Sequence, residues 1–289
     1  MIKILAPGGF GNQLFIWALA HKLVGDTNKK IQIFYVQDKF SQPSNYNIIK
    51  DLVPLCSHNI SVKRSHFLGF YIKLNYKLIS LGFDKFYLFR FVFRIISAND
   101  ISILPNLPKN KSFILIGFFQ NYKIVNSVWN EISNEISSLL HSITLPSELE
   151  LLGKPLQTIH IRRGDYISAK SEFGILTLDY FKKSMENDLA TVICTDEQLD
   201  FPSLSKYLSV ERIYTPTELD TLQTFKLMTI SSTLIISNST FSWWAGFFVI
   251  NAGGKVVCPN PWFIKSSLIC DELKNPNFIE SAAEFERLE

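Results

Sequence analysis

The chain has 289 residues, of which 47% are hydrophobic, and a formal net charge of +3. This length and hydrophobic content are enough to bury the cores of two modest domains. The four cysteines are widely spaced and form no Cys-x-x-Cys pair, which excludes a zinc knuckle and a disulfide framework. No apolar run is long enough to span a bilayer, and the amino terminus enters a predicted strand directly, so we expect a cytoplasmic chain.

The amino terminus predicts a strand, a glycine-rich loop and a helix. Lys3 to Ala6 is a short apolar run typical of a buried strand, and the pattern from Gln13 to Val24 indicates an amphipathic helix. Between them, the glycines of Pro7 to Asn12 would let the backbone approach a phosphate or a sugar edge near the helix start. The same loop is equally compatible with an ordinary strand-to-helix turn.

This loop differs from a dinucleotide-binding fingerprint. Such a fingerprint requires a third glycine three residues after Gly11, and Leu14 occupies that position. Asn12 and Gln13 instead supply amide donors and acceptors, which suit sugar hydroxyl groups.

The segment from Val62 to Ser97 carries seven basic residues against one acidic residue, Asp84, and many aromatic residues lie between them. This mixture is typical of helices on an anionic membrane surface, and one hypothesis is peripheral contact with the inner membrane. Core aromatics with a solvated basic face are the alternative. The segment has no recognised nucleic-acid-binding motif, and we expect no nucleic-acid partner.

The carboxyl half alternates strand and helix signals. Strands are predicted near Thr158, Thr191, Leu234 and Lys255, with helical stretches such as Leu178 to Met185 and Leu219 to Ile230 between them. This alternation favours a parallel, doubly wound sheet, whose ligands bind at the carboxyl ends of the strands. A domain boundary is predicted near Pro146 to Pro155, where two prolines and a glycine interrupt the helical pattern.

Two adjacent arginines follow a predicted strand, Gln157 to Ile161, within the motif from His160 to Ile167. Arginine remains charged at any working pH, and its planar fork matches phosphate oxygens, so Arg162 and Arg163 predict an anion site. Asp165 could hold one arginine in place. For this motif alone, a surface salt bridge is the alternative interpretation.

A second anion-binding signal lies further along the chain. A short apolar strand from Leu234 to Ile236 enters a hydroxyl-rich turn and then an aromatic helix. Ser239, Thr240 and Ser242 can cap that helix and can also donate to a bound oxyanion; capping alone is the alternative. The two adjacent tryptophans that follow are expected to pack the helix onto the sheet.

Three motifs together closely resemble the signatures of the α-1,2-fucosyltransferases of glycosyltransferase family eleven. Gly9 to Gln13, His160 to Tyr166 and Ser237 to Trp244 agree with that family in order and spacing. Val256 to Phe263 looks like the family's strand-Pro-Trp-Phe ending. The resemblance is thin in the region between the first and second motifs.

The resemblance implies an α/β fold of the GT-B type, with two facing Rossmann-like, doubly wound domains. Residues 1–150 would form the acceptor-side domain and residues 151–289 the GDP-fucose-binding domain. The implied reaction is inverting transfer of L-fucose from GDP-β-L-fucose to the 2-hydroxyl of a terminal galactose, in an O-antigen or similar glycan that can be lipid-linked. No metal and no other cofactor is expected, and the sequence independently lacks an Asp-x-Asp triplet for a divalent ion.

Site residues follow from the match to the family motifs. Arg162 would be the catalytic residue that stabilises the departing diphosphate. His160 could reach the guanine or the ribose, although a strand histidine is commonly structural. The acidic pair after the predicted strand Thr191 to Cys194 could accept from the guanine or cap the next helix. The predicted donor-binding residues are Gly9, Gly11, Asn12, Gln13, His160, Arg162, Arg163, Asp165, Asp196, Glu197, Asn238, Ser239, Thr240 and Ser242.

The family pattern is incomplete around Met228. Thr224 and Thr233 stand where members often have an acidic residue and a histidine. Glu218 and Asp220 could replace the missing carboxylate, or the position is not essential.

Two further questions stay open at the level of the sequence. Deprotonation of the acceptor hydroxyl requires a carboxylate or an imidazole, and Asp38, Asp165 and Glu197 are the candidates. The alternatives to α-1,2 transfer are a fucosyltransferase of another linkage and a non-catalytic module that binds a nucleotide-sugar or a glycan.

Overall fold

The computed structural model describes residues 1–6, 8–35, 46–57, 59–64, 94–97, 113–151, 155–197, 201–268 and 270–287. The chain divides into two compact units, Met1–Leu139 and Leu140–Glu289. This division lies near the end of the helix Trp129–His141, before the boundary that the sequence predicted near Pro146 to Pro155.

The first unit contains a parallel sheet. Its strands are β1 (Ile2–Ala6), β2 (Ile31–Tyr35), β3 (Ile60–Arg64), β4 (Arg94–Ser97) and β5 (Phe113–Ile116), in the spatial order β3-β2-β1-β5-β4. The described helices of this unit are α1 (Phe10–Thr27), α2 (Ile48–Leu52), α3 (Tyr122–Ser127) and α4 (Trp129–His141). The strand order reverses between β1 and β5, and such a switch point is where doubly wound sheets bind ligands.

Helix α1 forms the centre of the first core. Every residue from Leu14 to Ala20 is fully buried, because α1 packs against β1 and lies between α2 and α3. The sequence predicted an amphipathic helix from Gln13, and this prediction was wrong in two respects. The helix is buried around most of its circumference, polar Gln13 and His21 included, and it begins at Phe10, since the backbone N–H of Gln13 already donates to the carbonyl of Gly9.

The second unit has a parallel sheet with the Rossmann topology. Its strands are β6 (Leu156–Ile161), β7 (Ala190–Thr195), β8 (Arg212–Tyr214), β9 (Thr233–Ile235), β10 (Lys255–Asn260) and β11 (Ile279–Ala282). They pair in the order β11-β10-β9-β6-β7-β8, which is the doubly wound Rossmann order with its switch point between β6 and β9. All six residues of β6 are buried because the strand is central.

Helices surround this second sheet. They are α5 (Glu148–Leu151), α6 (Lys170–Phe173), α7 (Leu178–Ser184), α8 (Phe201–Leu208), α9 (Thr221–Thr229) and α10 (Thr240–Asn251). The expected burial of the tryptophan pair in α10 is confirmed, since Trp243 and Trp244 are 1% and 0% exposed. The indole N–H of Trp243 donates to the carbonyl of Leu273 at 2.8 Å, which satisfies the polar atom of a buried ring.

The α/β class and the two doubly wound domains of the GT-B prediction are confirmed by these sheets. In the second unit, strands β8 and β11 were not predicted, and in the first unit only β1 was. β8 has only three residues, and β11 is an edge strand of sequence Ile-Glu-Ser-Ala that lacks the apolar run of a buried strand.

The basic aromatic segment from Val62 to Ser97 lies mostly outside the described residues. Its two described ends belong to strands β3 and β4. Among the helices that the structure describes, none combines the length and the apolar character needed to cross a bilayer.

Candidate nucleotide-sugar site

The hydroxyl of Ser237 joins the two strands that flank the second switch point. It donates to the carbonyl of His160 at 2.6 Å and accepts the backbone N–H of Arg162 at 3.0 Å. This one side chain therefore fixes the end of β6 and the start of the turn from Arg162 to Asp165, called here the arginine turn. Because parallel strands diverge at this point, the turn opens onto the crevice where such sheets hold ligands.

Arg162 lies between two carboxylates. Its terminal nitrogens are 2.8 Å from Asp165 Oδ1 and 2.9 Å from Asp196 Oδ2. The side chain of Asp165 is 53% exposed, whereas that of Asp196 is 18% exposed. An exposed ion pair contributes at most about 1 kcal/mol, so an incoming anion can displace Asp165 from Arg162 more easily than it can displace Asp196.

Asp196 holds the arginine turn together. Its Oδ1 accepts the backbone N–H groups of Arg163 at 2.9 Å and Gly164 at 3.2 Å, while Oδ2 pairs with Arg162. A Cβ atom at position 164 would lie 2.6 Å from Asp196 Oδ2, so glycine is required for this approach. The sequence predicted a contact between this carboxylate and the donor nucleotide, and in the structure both of its oxygens already contact the turn.

Arg163 is also held by two carboxylates. Its Nε lies 2.7 Å from Glu197 Oε1, and a terminal nitrogen contacts Glu286 near the carboxyl end of the chain. Among the described residues, the two guanidinium groups at this edge of the sheet thus form ion pairs with four carboxylates. The arginine turn without a ligand is therefore not a simple positive patch. To bind there, an anion would have to replace a carboxylate that is paired with Arg162 or Arg163.

His160 is buried immediately before the arginines. Burial lowers the pKa of His160 to about 4, an effect that Asp196 opposes and that Arg162 reinforces. The imidazole is therefore neutral near pH 7. Its Nδ1 has no hydrogen-bond partner among the described residues, and its ring lies 5.7 Å from that of Phe241.

The amino terminus of α10 lies at the carboxyl end of β9. Ser239 occupies the N-cap position, but its side chain makes no cap hydrogen bond, and the hydroxyl of Ser242 donates back to the carbonyl of Ser239 at 3.2 Å. The expectation that the hydroxyls of this turn cap the helix is wrong for Ser239. Helix starts favour bound anions because their first N–H groups lack intrahelical partners and the helix dipole is positive there.

Asn238 supports the neighbouring loop. It is 1% exposed, and its amide donates to the carbonyl of Phe173 at 2.9 Å. The backbone carbonyl of Asn238 accepts the hydroxyl of Tyr166 at 2.9 Å, and burial raises the pKa of Tyr166 well above its usual value. The Tyr166 ring also lies 5.8 Å from the guanidinium of Arg162, so the tyrosine links the arginine turn to the start of α10.

The first switch point has a different composition. Gly8 adopts a φ of +80°, and a Cβ there would lie 2.5 Å from the amide nitrogen of Asn12. The carbonyl of Asn12 accepts the side-chain N–H of Gln120 at 2.8 Å, which connects α1 to the residues after β5. Phe119 has a φ of +49° although it is bulky and fully buried. Such backbone strain costs about 1–3 kcal/mol and concentrates at functional sites.

The other residues predicted in this loop have local roles. Gln13 is buried, and its amide donates to the carbonyls of Gly8 at 3.3 Å and Tyr46 at 3.2 Å. Gly9 is the N-cap residue of α1 and has open space where a Cβ would be, while Gly11 lies inside the first turn. Gly8 is thus the glycine that the conformation requires.

The two carboxylates offered as substitutes near Met228 have structural contacts. Glu218 pairs with Arg212 at 2.9 Å and accepts the amide of Thr215 at 3.0 Å. Asp220 forms a capping box with Gln223 at the start of α9. Of the three base candidates, Asp165 and Glu197 lie at the arginine turn, and Asp38 lies outside the described residues.

Sequence reasoning missed four residues that shape these sites. They are Ser237, Tyr166, Glu286 and Gln120. Ser237 and Tyr166 lie inside recognised motifs, so attention to paired strand ends could have identified them. Gln120 follows a strand of the thinly matched region, and Glu286 is 123 residues from Arg163 in sequence, so no local signal indicates either contact.

Two parallel sheets, with arginines and a helix start at one switch point, define an α/β protein of the type that binds phosphate-bearing nucleotides at its strand ends. Residues 1–267 match the family model described as Glycosyl transferase family 11. The chain belongs to this family.

Two relatives have established names. The chain is 25% identical to the O-antigen biosynthesis glycosyltransferase WbnK of Escherichia coli over 191 residues, which are 58% of this chain and 62% of that protein. It is 29% identical to an alpha-1,2-colitosyltransferase of Escherichia coli over 180 residues, 53% of this chain and 57% of the relative. The chain thus matches less than two thirds of the length of each.

Several solved structures resemble the chain weakly. NodZ alpha-1,6-fucosyltransferase co-crystallised with GDP has 13% identity and a TM-score of 0.47, and covers 86% of this chain and 92% of its own. POFUT1 in complex with GDP has 11% identity, a TM-score of 0.45 and coverages of 86% and 93%. Heptosyltransferase WaaC of E. coli with ADP has 6% identity, a TM-score of 0.47 and coverages of 97% and 92%. These scores are too low to transfer a ligand or a mechanism to this chain.

Proposed function

We propose that this chain transfers L-fucose from GDP-β-L-fucose, with inversion and without a metal, to the 2-hydroxyl of a terminal galactose in an oligosaccharide. One observation carries the proposal. Arg162 and the start of α10 meet across Ser237 at the switch point of a Rossmann sheet, where a nucleoside diphosphate is expected. Membership of glycosyl transferase family 11 supports the reaction class.

Departure of GDP is the step that the arginine turn would assist. As the bond to fucose breaks, negative charge accumulates on the β-phosphate, and a fixed guanidinium there stabilises the transition state. The Arg162 guanidinium would bind the β-phosphate after its ion pair with Asp165 is replaced by phosphate oxygens. Its ion pair with Asp196 would keep the Arg162 side chain oriented. The amides at the start of α10 would bind the same diphosphate.

The acceptor hydroxyl must lose a proton during the transfer. Asp165, at 53% side-chain exposure, is more accessible than Glu197 at 23%. Displacement of Asp165 from Arg162 by the diphosphate would leave a carboxylate beside the reacting sugar. We therefore propose Asp165 as the first base candidate to test.

The amide cluster of the first unit would contact sugar hydroxyl groups. The side-chain carbonyl of Asn12 accepts the side-chain N–H of Gln120, and this pair lies just after β5, next to Phe119 with its positive φ. We propose that this cluster contacts the fucosyl group of the donor and not the guanine nucleotide.

The name of the alpha-1,2-colitosyltransferase suggests a colitosyl nucleotide as the alternative donor substrate. A colitosyl donor and another fucosyl linkage are therefore tested beside the favoured reaction. Acceptors related to the O-antigen are suggested by the name of WbnK.

The decisive experiment measures GDP release from GDP-fucose, with and without galactosyl disaccharides, during a short exposure to EDTA. Acceptor-dependent release, with a product whose fucose is on the galactose 2-hydroxyl, is the expected result. A product at another hydroxyl would replace the proposed linkage. Faster turnover with a colitosyl donor than with GDP-fucose would mean that GDP-fucose is not the natural donor.

Binding without turnover would favour the non-catalytic alternative. If GDP-fucose binds in calorimetry but no galactosylated acceptor releases GDP, the chain would be a nucleotide-sugar-binding module. If it does not bind at all, the assignment of the arginine turn is wrong.

Peripheral membrane contact through the segment from Val62 to Ser97 remains a separate proposal, supported by the basic and aromatic composition of that segment. Co-sedimentation with anionic vesicles at low salt tests it, and absence of the protein from the pellet would exclude it.

A further inference from the structure

The first unit contains a group of metal-binding side chains that the proposed reaction does not use. His21 of α1, Cys56 after the short 3-10 helix Val53–Leu55, and Glu135 of α4 place one ligand atom each within 4.8 Å of one another. The imidazole Nε2 of His21 lies 3.2 Å from Glu135 Oε2 and 3.8 Å from the Cys56 sulfur. Three separate elements of the chain therefore meet at this point.

These separations fit a tetrahedral zinc ion. Zinc binds nitrogen and oxygen at about 2.0–2.1 Å and sulfur at about 2.3 Å, so neighbouring ligand atoms in a tetrahedron lie about 3.3–3.6 Å apart. The two measured distances differ from these values by a few tenths of an ångström. Imidazole, thiolate and carboxylate are also the three ligand types that zinc prefers in proteins.

Burial and charge favour an ion over three separate groups. The side chains of His21 and Glu135 are 1% and 9% exposed. Burial of a carboxylate is costly, and the contacts of Glu135 with His21 and Trp17 offset only part of this cost. A divalent ion held by a carboxylate, a thiolate and a neutral imidazole has no net charge, which removes most of that cost.

Trp17 supplies the supporting contact that metal ligands usually have. Its indole N–H donates to Glu135 Oε2 at 2.8 Å, and its ring packs edge-on to that of His21. Partners of this kind orient a ligand and commonly contribute about 10- to 100-fold to metal affinity. Cys56 is only partly buried, so an ion and a completing water molecule can enter from its side.

We propose that His21, Cys56 and Glu135 bind one zinc ion, which fastens α1 to α4 and to the segment before β3. The proposed role of this ion is structural, because none of its three ligands belongs to the arginine turn or to the Asn12 and Gln120 pair. It does not depend on the proposed function, and it is compatible with metal-independent transfer.

The test uses the full chain, stripped of metal by dialysis against EDTA and kept reduced. Titration with Co²⁺ should give a sulfur-to-cobalt charge-transfer band that saturates at one ion per chain, and Zn²⁺ should abolish the band by competition. Zinc should also raise the thermal unfolding midpoint, since an ion that binds only the folded chain stabilises it by mass action.

Matched variants identify the site. Cys56→Ser should remove the cobalt band, whereas Cys270→Ser, which alters another half-buried cysteine, should keep it. Trp17→Phe should weaken zinc binding about tenfold or more while retaining the band. An unchanged band in Cys56→Ser would overturn the proposal, as would wild-type protein that binds no stoichiometric metal; the three side chains would then form only a hydrogen-bonded group.

Discussion

At the switch point of the first unit the chain presents a glycine, two amides and a strained phenylalanine, whereas the switch point of the second unit presents arginines, carboxylates and the start of a helix. Both points are made by the same arrangement of parallel strands. The topology therefore fixes where a ligand can bind, and the side chains after each strand decide which ligand chemistry is served.

At the charged switch point, the protein's own carboxylates and an incoming anion compete for the same two guanidinium groups. Each guanidinium already has two carboxylate partners, so its orientation is set before anything binds. Such prior orientation lowers the reorganisation needed in the transition state. The amide switch point depends on hydrogen bonds between neutral groups and should respond much less to charge substitutions.

The largest effect is expected at Arg162. Arg162→Ala should lower kcat/KM for GDP-fucose at least about 100-fold, because the departing diphosphate loses a fixed positive charge. Arg212→Ala is the matched control, since Arg212 forms an ion pair with Glu218 at a half-exposed position of the same unit. Steady-state GDP release measures both variants. Equal losses in the two would remove Arg162 from its proposed role.

The next effect concerns pH and His160. The unfolded histidine has a pKa near 6.5, and burial lowers the folded value to about 4, so the unfolded chain binds the proton more tightly. This neutral histidine supports the fold fully above pH 6.5, and the support is lost as pH falls towards 4. The loss should reach about 2 kcal/mol by pH 5.

Urea unfolding at pH 7 and pH 5 tests this linkage. His160→Gln removes the titrating group, so the variant should lose about 2 kcal/mol less free energy of unfolding between these pH values than the wild type. Equal losses would mean that other groups cause the acid sensitivity.

Two glycines compare the switch points directly. Gly164→Ala would place a Cβ atom 2.6 Å from Asp196 Oδ2, displace this carboxylate and loosen Arg162, so GDP affinity should fall about tenfold. Gly9→Ala meets no atom within 4 Å and should leave GDP affinity unchanged. Calorimetry with GDP measures both. A loss in Gly9→Ala without one in Gly164→Ala would reverse the assignment of the two regions.

The smallest effect is expected at Gln120. Gln120→Ala removes the hydrogen bond to Asn12, and GDP-fucose should bind about threefold more weakly, a change typical of one neutral hydrogen bond. Binding of GDP alone should not change, because GDP lacks the sugar. An equal loss for GDP and GDP-fucose would show that the amide cluster contacts the nucleotide. A changed acceptor KM alone would assign it to the acceptor.

Local sequence was sufficient to predict most of the second unit. Apolar runs ended by polar turns identified β6, β7, β9 and β10, because these strands are central or nearly so and must be apolar. The sequence also predicted that His160, Arg162 and Arg163 lie near the turn after β9, since parallel strands bring their carboxyl ends to one edge of the sheet.

Tertiary structure decided the partners of these residues. Glu286 reaches Arg163 only because β11 pairs with β10 and returns the chain to the sheet, and Cys56 reaches His21 only because the chain passes beside α1. The contact of Asp196 with the arginine turn likewise requires the pairing of β6 with β7. Periodicity and motif spacing describe neighbours along the chain, so they predicted β1 and the central strands of the second unit and placed the motif residues at strand ends. Contacts between residues far apart in sequence depend on how the strands pair, and only the folded chain determines them.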